Sequence, residues 1–209
     1  VLRDITSKDR QGNSVEGVEI ADFIDEDRSK YSDLFHDLDG IIHLGHKGRN
    51  GNPLDHYFSE RENVQMVYNI LRTAYDNGVP RVVVASSNHA ADYYEKLIWS
   101  DRMEYVTPEM VPLSDNFYGW AKVAYEQLGF VFATGQVEDS PLEIVQLRIG
   151  GPRDGADLEN ASPGDVKKMH RGLGAYLSRR DQVQLFIKSI EAEDIRNEHG
   201  VPFQIFYFS

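Results

Sequence analysis

Short apolar runs alternate with longer amphipathic segments along this chain of 209 residues. The runs are nearly continuous in Val, Ile, Leu and Phe, which is typical of strands buried on both faces of a parallel sheet. The pattern predicts strands at residues 1–5, 17–21, 40–45, 81–86, 142–149 and 202–208. Helical periodicity in the intervening sequence predicts helices at residues 25–38, 63–78, 116–135 and 178–193. Strands and helices that alternate in this way predict an α/β fold with a doubly wound parallel sheet.

End signals support two of the predicted helices. Asn77-Gly78 followed by Val79-Pro80 predicts a stop, because glycine accepts a left-handed cap and proline cannot extend a helix. Ser178, with Asp181 three residues later, resembles a capping box at a helix start.

Composition and charge exclude several classes of function. The formal net charge of −12 disfavours binding to nucleic acid or to anionic membranes, since both carry negative charge. Without cysteine, disulfides, thiolate nucleophiles and iron–sulfur ligation are ruled out, and we expect a cytoplasmic protein. No apolar stretch approaches the roughly 20 residues of a membrane span. We predict no metal site.

Polar or glycine-rich residues follow most of the predicted strands. In a doubly wound sheet, ligands bind at the carboxyl ends of the strands. The residues at these ends are Asp4, Asp22, Gly45–Gly48, Ser86–His89 and Arg148–Gly151. They predict a binding crevice at one edge of the sheet.

Tyr118 and Lys122 lie four residues apart in YGWAK, on one face of a predicted helix. An ammonium near a phenol favours the phenolate and lowers its pKa, so this tyrosine is a candidate general base toward a substrate hydroxyl. Ser87, at the end of an upstream strand, could hydrogen-bond the same hydroxyl. The Tyr/Lys spacing alone is weak evidence for a catalytic pair, because a chain with 11 tyrosines can contain such a pair by chance. The evidence is stronger because this pair lies downstream of a strand that ends in Ser-Ser.

Several motifs together resemble an extended short-chain dehydrogenase/reductase of the NAD-dependent epimerase/dehydratase family, and are most similar to its uronate dehydrogenase-like sugar dehydrogenases. These motifs are DLDGIIHLG (37–45), ENVQMVYNIL (62–71), RVVVASSNH (81–89), YGWAK (118–122), LRIGGP (147–152) and YLSRRDQVQLF (176–186). The resemblance covers essentially the whole chain and implies a Rossmann-like fold.

The resemblance implies oxidation of a sugar or sugar acid at its anomeric hydroxyl by a Ser-Tyr-Lys mechanism. Tyr118 would be the base, with Ser87 as its partner and Lys122 holding the nicotinamide ribose. The implied substrate-binding residues are Ser87, Asn88, His89, Tyr118 and Arg148, with Arg148 gripping a carboxylate.

NAD is the implied cofactor. Its implied binding residues are Asp4, Asp22, Leu44, Gly45, His46, Tyr118 and Lys122. A carboxylate at Asp4 would accept hydrogen bonds from the adenosine ribose and repel a 2′-phosphate, which favours NAD over NADP. GHKGRNG (45–51) lacks the Gly-Lys-Ser/Thr ending of a phosphate loop, so we do not predict a nucleotide triphosphate site.

The family begins with a strand and a Gly-rich turn, and neither precedes Val1. We therefore expect residues 1–150 to be a dinucleotide-binding region without its first strand and Gly-rich loop. Residues 151–209 would begin the substrate-binding region, packed on the same domain. Lys47-Gly48 and Gly151-Pro152 stand where the family places small polar side chains, which leaves the identity of the sugar open.

Two other functions stay open at this point: a nucleotide-sugar epimerase or dehydratase, and a non-catalytic dinucleotide-binding or scaffold protein of the same fold. We also expect a homodimer, because the helices at 63–78 and 116–135 resemble those of a four-helix interface in the family. Phe130 and Phe132 would be its contacts, although a core role fits them equally well.

Overall fold

The computed structural model describes residues 1–9, 11–137, 139–154, 157 and 163–208. The strands of this part of the chain are β1 (Leu2–Asp4), β2 (Val18–Ile20), β3 (Ile41–His43), β4 (Arg81–Ser87), β5 (Glu143–Ile149), β6 (Gly151–Pro152), β7 (Tyr176–Leu177) and β8 (Phe203–Phe208). Its α-helices are α1 (His56–Asp76), α2 (Glu95–Trp99), α3 (Phe117–Ala133), α4 (Val166–Gly174) and α5 (Arg179–Glu191). The six predicted strands are all present, and the two-residue strands β6 and β7 were not predicted.

A parallel four-stranded sheet in the order β3-β4-β5-β8 forms the centre of the fold. Val82, Val83, Ile144 and Val145 are at most 1% exposed, as expected for strands covered on both faces. β1 and β2 form a separate parallel pair, as do β6 and β7. The prediction of a parallel α/β sheet is confirmed.

Helices α1 and α3 pack against each other and against the central sheet. Val67 and Leu71 of α1, with Ala121 and Tyr125 of α3, are at most 1% exposed and belong to one apolar core. This packing presents the start of α3 to the carboxyl end of β4. Among the described residues, no helix has the length and apolar character needed to cross a bilayer.

The predicted helix at 25–38 does not form. Two short 3₁₀ helices, Arg28–Lys30 and Ser32–Phe35, take its place. The carboxylates of Asp25 and Asp27 accept hydrogen bonds from backbone N–H groups two residues further on, and such local bonds compete with an α-helix. Tyr31 and Phe35 are nevertheless buried in the core.

The other predicted helices are confirmed, with shifted ends. α1 begins at His56 and not at residue 63, while Gly78 ends it with a φ of +68°. The Ser178 hydroxyl accepts a hydrogen bond from the Asp181 backbone N–H at 3.0 Å and caps α5. Helices α2 and α4 were not predicted, and a 3₁₀ segment, Asn88–Tyr94, follows β4 directly.

Candidate active site

Ser87 ends β4 and caps the 3₁₀ segment that follows. Its hydroxyl accepts a hydrogen bond from the His89 backbone N–H at 3.3 Å and donates one to Asn88 Oδ1 at 3.3 Å. The polar run after the strand is therefore held in a tight turn. The turn keeps these three predicted residues together at the carboxyl end of the sheet.

Helix α3 approaches this turn unusually closely. The Asn116 side chain caps the helix by accepting a hydrogen bond from the Gly119 N–H at 3.0 Å. A Cβ atom at Gly119 would lie 2.0 Å from the His89 carbonyl oxygen, so only glycine permits this approach. The approach places the Tyr118 ring 5.3 Å from the His89 ring, edge to face, and within hydrogen-bonding reach of Ser87.

Lys122 lies one turn further along α3 and is only 4% exposed. Its ammonium donates a hydrogen bond to the Ala85 carbonyl oxygen at 2.9 Å and stands 5.4 Å from the centre of the Tyr118 ring. Burial lowers the pKa of the ammonium to about 8, although the carboxylates of Glu60 and Glu126 oppose this shift. The structure thus brings Ser87, Tyr118 and Lys122 together as predicted.

The electrostatics of Tyr118 differ from the expectation. Burial raises the pKa of its phenol, and the hydrogen bond with Ser87 offsets part of that rise. The negative charge of Glu60 raises this pKa further, while the positive charge of Arg49 lowers it. The ammonium of Lys122 is directed to the Ala85 carbonyl oxygen. In this arrangement Ser87 and Arg49, more than Lys122, favour the phenolate.

Sequence reasoning missed a partner of His89. The Nδ1 atom of His89 lies 2.6 Å from Asp92 Oδ2, which also accepts a hydrogen bond from the Asn116 side chain at 2.7 Å. Asp92 therefore orients the imidazole and ties the 3₁₀ segment to the start of α3. The spacing of three residues between His89 and Asp92 is the sequence signal for this pair.

The loop at residues 44–52, between β3 and α1, covers Tyr118 on another side. The His46 ring packs edge to face on Tyr118, with 5.2 Å between the ring centres. A Cβ atom at Gly45 would lie 2.9 Å from His43 Cε1 and 3.0 Å from Met66 Sδ. Glycine at this position therefore serves close packing within the protein. Leu44 is 58% exposed.

Asp4 and Asp22 lie at the ends of β1 and just after β2. Their carboxylates accept backbone hydrogen bonds inside their own turns, from Thr6 at 3.2 Å and from Ile24 at 2.9 Å. These two residues stand on the β1–β2 pair, and Ser87, Tyr118 and Lys122 stand on the four-stranded sheet and α3. Their predicted role toward adenosine stays a prediction.

Arg148 is placed differently from the other predicted residues. It is 1% exposed, and its guanidinium donates to both carboxylate oxygens of Glu126 at 2.8 and 2.7 Å. It also donates to the Tyr207 hydroxyl at 2.9 Å, while Ser86 donates to Glu126 at 2.9 Å. Burial opposes the charge of Arg148, but the bonds and charge of Glu126 outweigh it and raise the pKa of the guanidinium.

The described arrangement therefore gives no support to Arg148 as a ligand of a substrate carboxylate. Its guanidinium would have to give up buried, charge-assisted bonds to Glu126 in order to bind one. Sequence reasoning missed Glu126, although it stands four residues after Lys122 and thus on the same helix face.

Comparison with known proteins identifies the family. The model of the NAD dependent epimerase/dehydratase family matches residues 3–181, and the chain belongs to that family. It is 30% identical over 206 residues to the NAD-dependent glucose-6-phosphate dehydrogenase of Haloferax volcanii, covering 91% of this chain and 70% of that enzyme. It is 29% identical over 126 residues to the uronate dehydrogenase of Pseudomonas putida, covering 59% of this chain and 41% of that enzyme.

A solved structure of a mutated uronate dehydrogenase shares the fold. It superposes with a TM-score of 0.68 at 26% identity, over 100% of this chain and 64% of that chain. The chain thus spans less than two thirds of that solved protein.

Proposed function

We propose that this chain forms the catalytic part of an NAD-dependent dehydrogenase that oxidises a sugar or sugar acid at its anomeric hydroxyl. One observation carries the proposal: Tyr118, Ser87 and Lys122 converge from α3 and β4 at the carboxyl end of the sheet. Relatives of the chain include a glucose-6-phosphate dehydrogenase and uronate dehydrogenases, which supports a sugar as substrate.

Tyr118 is the general base of the proposed reaction. Its phenolate takes the proton of the anomeric O–H, the C–H hydrogen leaves as hydride, and the carbon–oxygen bond becomes the carbonyl of a lactone. Ser87 lies within hydrogen-bonding reach of Tyr118 and binds the same substrate oxygen, for which its O–H gives up the bond to Asn88. NAD, when bound, supplies the hydride acceptor.

The residues present fit a bound dinucleotide. The buried ammonium of Lys122 donates one described hydrogen bond, to Ala85, and an ammonium has three donors. Its other donors suit the hydroxyls of the nicotinamide ribose. Asp4 ends a parallel strand and its carboxylate has oxygen lone pairs to offer beyond its bond with Thr6, which suits the hydroxyls of the adenosine ribose.

Asn88 and His89 are the proposed substrate-binding side chains beside Ser87. The His89 side chain is 40% exposed and its ring lies next to Tyr118. With Nδ1 held by Asp92, the opposite ring nitrogen, Nε2, can hydrogen-bond a sugar hydroxyl. Histidine ring nitrogens take donor or acceptor roles according to tautomer.

The proposal is tested by following NADH formation at 340 nm with galacturonate, glucuronate, glucose 6-phosphate, arabinose and glucose. We expect NADH with at least one of these sugars, and a rate of NADH formation that is about 10²- to 10⁴-fold lower for Tyr118→Phe. Conversion of a nucleotide sugar without net NADH would indicate the epimerase or dehydratase function. Dinucleotide binding without any turnover would indicate the non-catalytic function.

We further propose that α1 and α3 pair with those of a second copy of the chain. The two helices expose aromatic side chains: Tyr57, Tyr68, Trp120 and Phe130 are 39% to 41% exposed. Phe132 packs against Tyr68 and Tyr75, which supports this surface from within. Sedimentation velocity at micromolar concentration should show a dimer that Trp120→Glu dissociates, and a monomeric wild type would contradict the proposal.

A further inference from the structure

The loop at residues 44–52 is positively charged in an acidic protein. It carries His46, Lys47 and Arg49 and no acidic residue, whereas the chain as a whole has a net charge of −12. The loop lies directly over the Tyr118 ring through His46. Lys47 and Arg49 have the carboxylates of Glu62 and Glu60 as partners, so the loop offers an anion the unused donors of a guanidinium and not a net positive field.

Arg49 stands where such a ligand would be met. Its guanidinium carbon lies 4.9 Å from the centre of the Tyr118 ring, and the side chain is 39% exposed. Arg148, by contrast, is 1% exposed and fully engaged with Glu126 and Tyr207. Of these two arginines, Arg49 is therefore the one that both borders the base and meets solvent.

The partner of Arg49 leaves it donors to spare. Its Nε lies 3.4 Å from Oε1 of the buried Glu60, which is a longer contact than a charge-assisted hydrogen bond. A guanidinium has five donors in a planar fork, and that fork matches a carboxylate or a phosphate. Glu60 thus holds the side chain over Tyr118 while the rest of the fork stays available.

The neighbouring lysine is committed elsewhere. The Lys47 ammonium pairs with Glu62 on α1 at 2.6 Å, and its backbone exchanges two hydrogen bonds with the Asn63 side chain. Lys47 therefore anchors the loop to α1, and Lys47→Gln is a matched control for removal of one positive charge.

We infer that Arg49 binds the anionic substituent, carboxylate or phosphate, of a sugar whose anomeric hydroxyl is held at Tyr118 and Ser87. The inference rests on the proposed function, since it places the sugar at that site. It makes Arg49 the residue that selects acidic sugars over neutral ones, in the place predicted for Arg148.

The test compares matched sugars in the presence of NADH, which cannot accept a hydride, by isothermal titration calorimetry, so that binding is measured without turnover. Galacturonate is compared with galactose, and glucose 6-phosphate with glucose, for wild type, Arg49→Gln and Lys47→Gln. We expect wild type to prefer at least one anionic sugar over its neutral counterpart. Arg49→Gln should lose roughly 10- to 100-fold in affinity for that sugar, the worth of a hydrogen bond to a charged group, with little change for the neutral sugar. Lys47→Gln should keep the preference, and the sugar affected tells carboxylate from phosphate.

Two results would overturn the inference: an unchanged preference in Arg49→Gln, or no preference in wild type. Parallel NADH assays separate this from the proposed function. If a neutral sugar is turned over and anionic sugars are not preferred, the dehydrogenase function is supported and the proposed role of Arg49 is refuted. An Arg49-dependent preference without NADH removes the dehydrogenase and leaves the anion site.

Discussion

Two polar clusters stand one turn apart on the same face of α3, and they have opposite characters. Tyr118 and Lys122 form the first, beside Ser87 and the exposed side of His89. Glu126 forms the second with Arg148, where charge meets opposite charge in a bidentate pair that is 1% exposed on both sides. Both clusters consist of residues that can carry charge.

The two clusters differ in the electrostatic environment of their charged groups. Burial lowers the pKa of Lys122 and raises that of Tyr118, so the first cluster holds groups in environments that disfavour their charged forms. Perturbed groups of this kind beside a crevice are typical of functional sites. In the second cluster Glu126 satisfies the charge of Arg148 and joins α3 to β5. We interpret the first as the reaction centre and the second as the clamp that positions it.

The largest expected effect on activity comes from removing the hydroxyl oxygen of Tyr118 in the first cluster. Tyr118→Phe should reduce kcat by about 10²- to 10⁴-fold, the usual contribution of a general base, with little change in stability. Steady-state NADH formation and urea unfolding measure the two properties.

Tyr125→Phe is the matched control for this substitution. Tyr125 lies on the same helix and is buried, and its hydroxyl has no hydrogen-bond partner among the described residues. It should keep its activity, and an equal loss in both variants would contradict the assignment of Tyr118 as base.

Substitutions in the second cluster should lower the free energy of unfolding more than they lower kcat. Glu126→Ala leaves the guanidinium of Arg148 buried without its carboxylate, which costs about 3–5 kcal/mol in the free energy of unfolding. The double variant Glu126→Leu/Arg148→Met should recover much of this loss, because it removes both charges together. Urea denaturation of the single and double variants measures the coupling, and a Glu126→Ala protein as stable as wild type would refute the clamp.

Lys122 should make stability depend on alkaline pH. Its pKa is lowered from 10.5 to about 8 in the folded protein, so between those values the unfolded chain binds more protons than the native one. Stability contributed by this group therefore rises from pH 8 toward pH 10. Lys122→Met should remove that rise in urea midpoints measured across this range, and an identical pH dependence in both proteins would contradict the burial of an ammonium.

The smallest effects come from two adjacent serines, one in each cluster. Ser86→Ala deletes a hydrogen bond to Glu126 and should cost about 1 kcal/mol of stability, with kcat nearly unchanged. Ser87→Ala should lower kcat and leave the urea midpoint close to that of wild type. Both kcat and the urea midpoint are measured for both variants. If the two substitutions changed the same property, the proposed difference between the two clusters would be refuted.

The local pattern of the sequence was enough to predict the strands and most helices. Apolar runs mark strands that pack on both faces, and Gly78 and Ser178 mark helix ends through their own backbone and side-chain preferences. The spacing of Tyr118 and Lys122 likewise put them on one helix face. The helix predicted at 25–38 does not form because the carboxylates of Asp25 and Asp27 accept hydrogen bonds from nearby backbone N–H groups. A periodic pattern does not reveal such local bonds.

Only the tertiary structure decided which partner each charged side chain pairs with. Arg148 lies near the carboxyl end of a strand like the other candidates, yet it pairs with Glu126, which is 22 positions away. Arg49 was not among the predicted site residues, although the loop folds it over Tyr118. Hydrophobic periodicity reports which residues are buried as a class, while pairing and desolvation depend on which distant side chains meet. The sequence alone therefore determined the α/β fold class and the Tyr118–Lys122 pair, and packing decided which arginine borders Tyr118 and meets solvent.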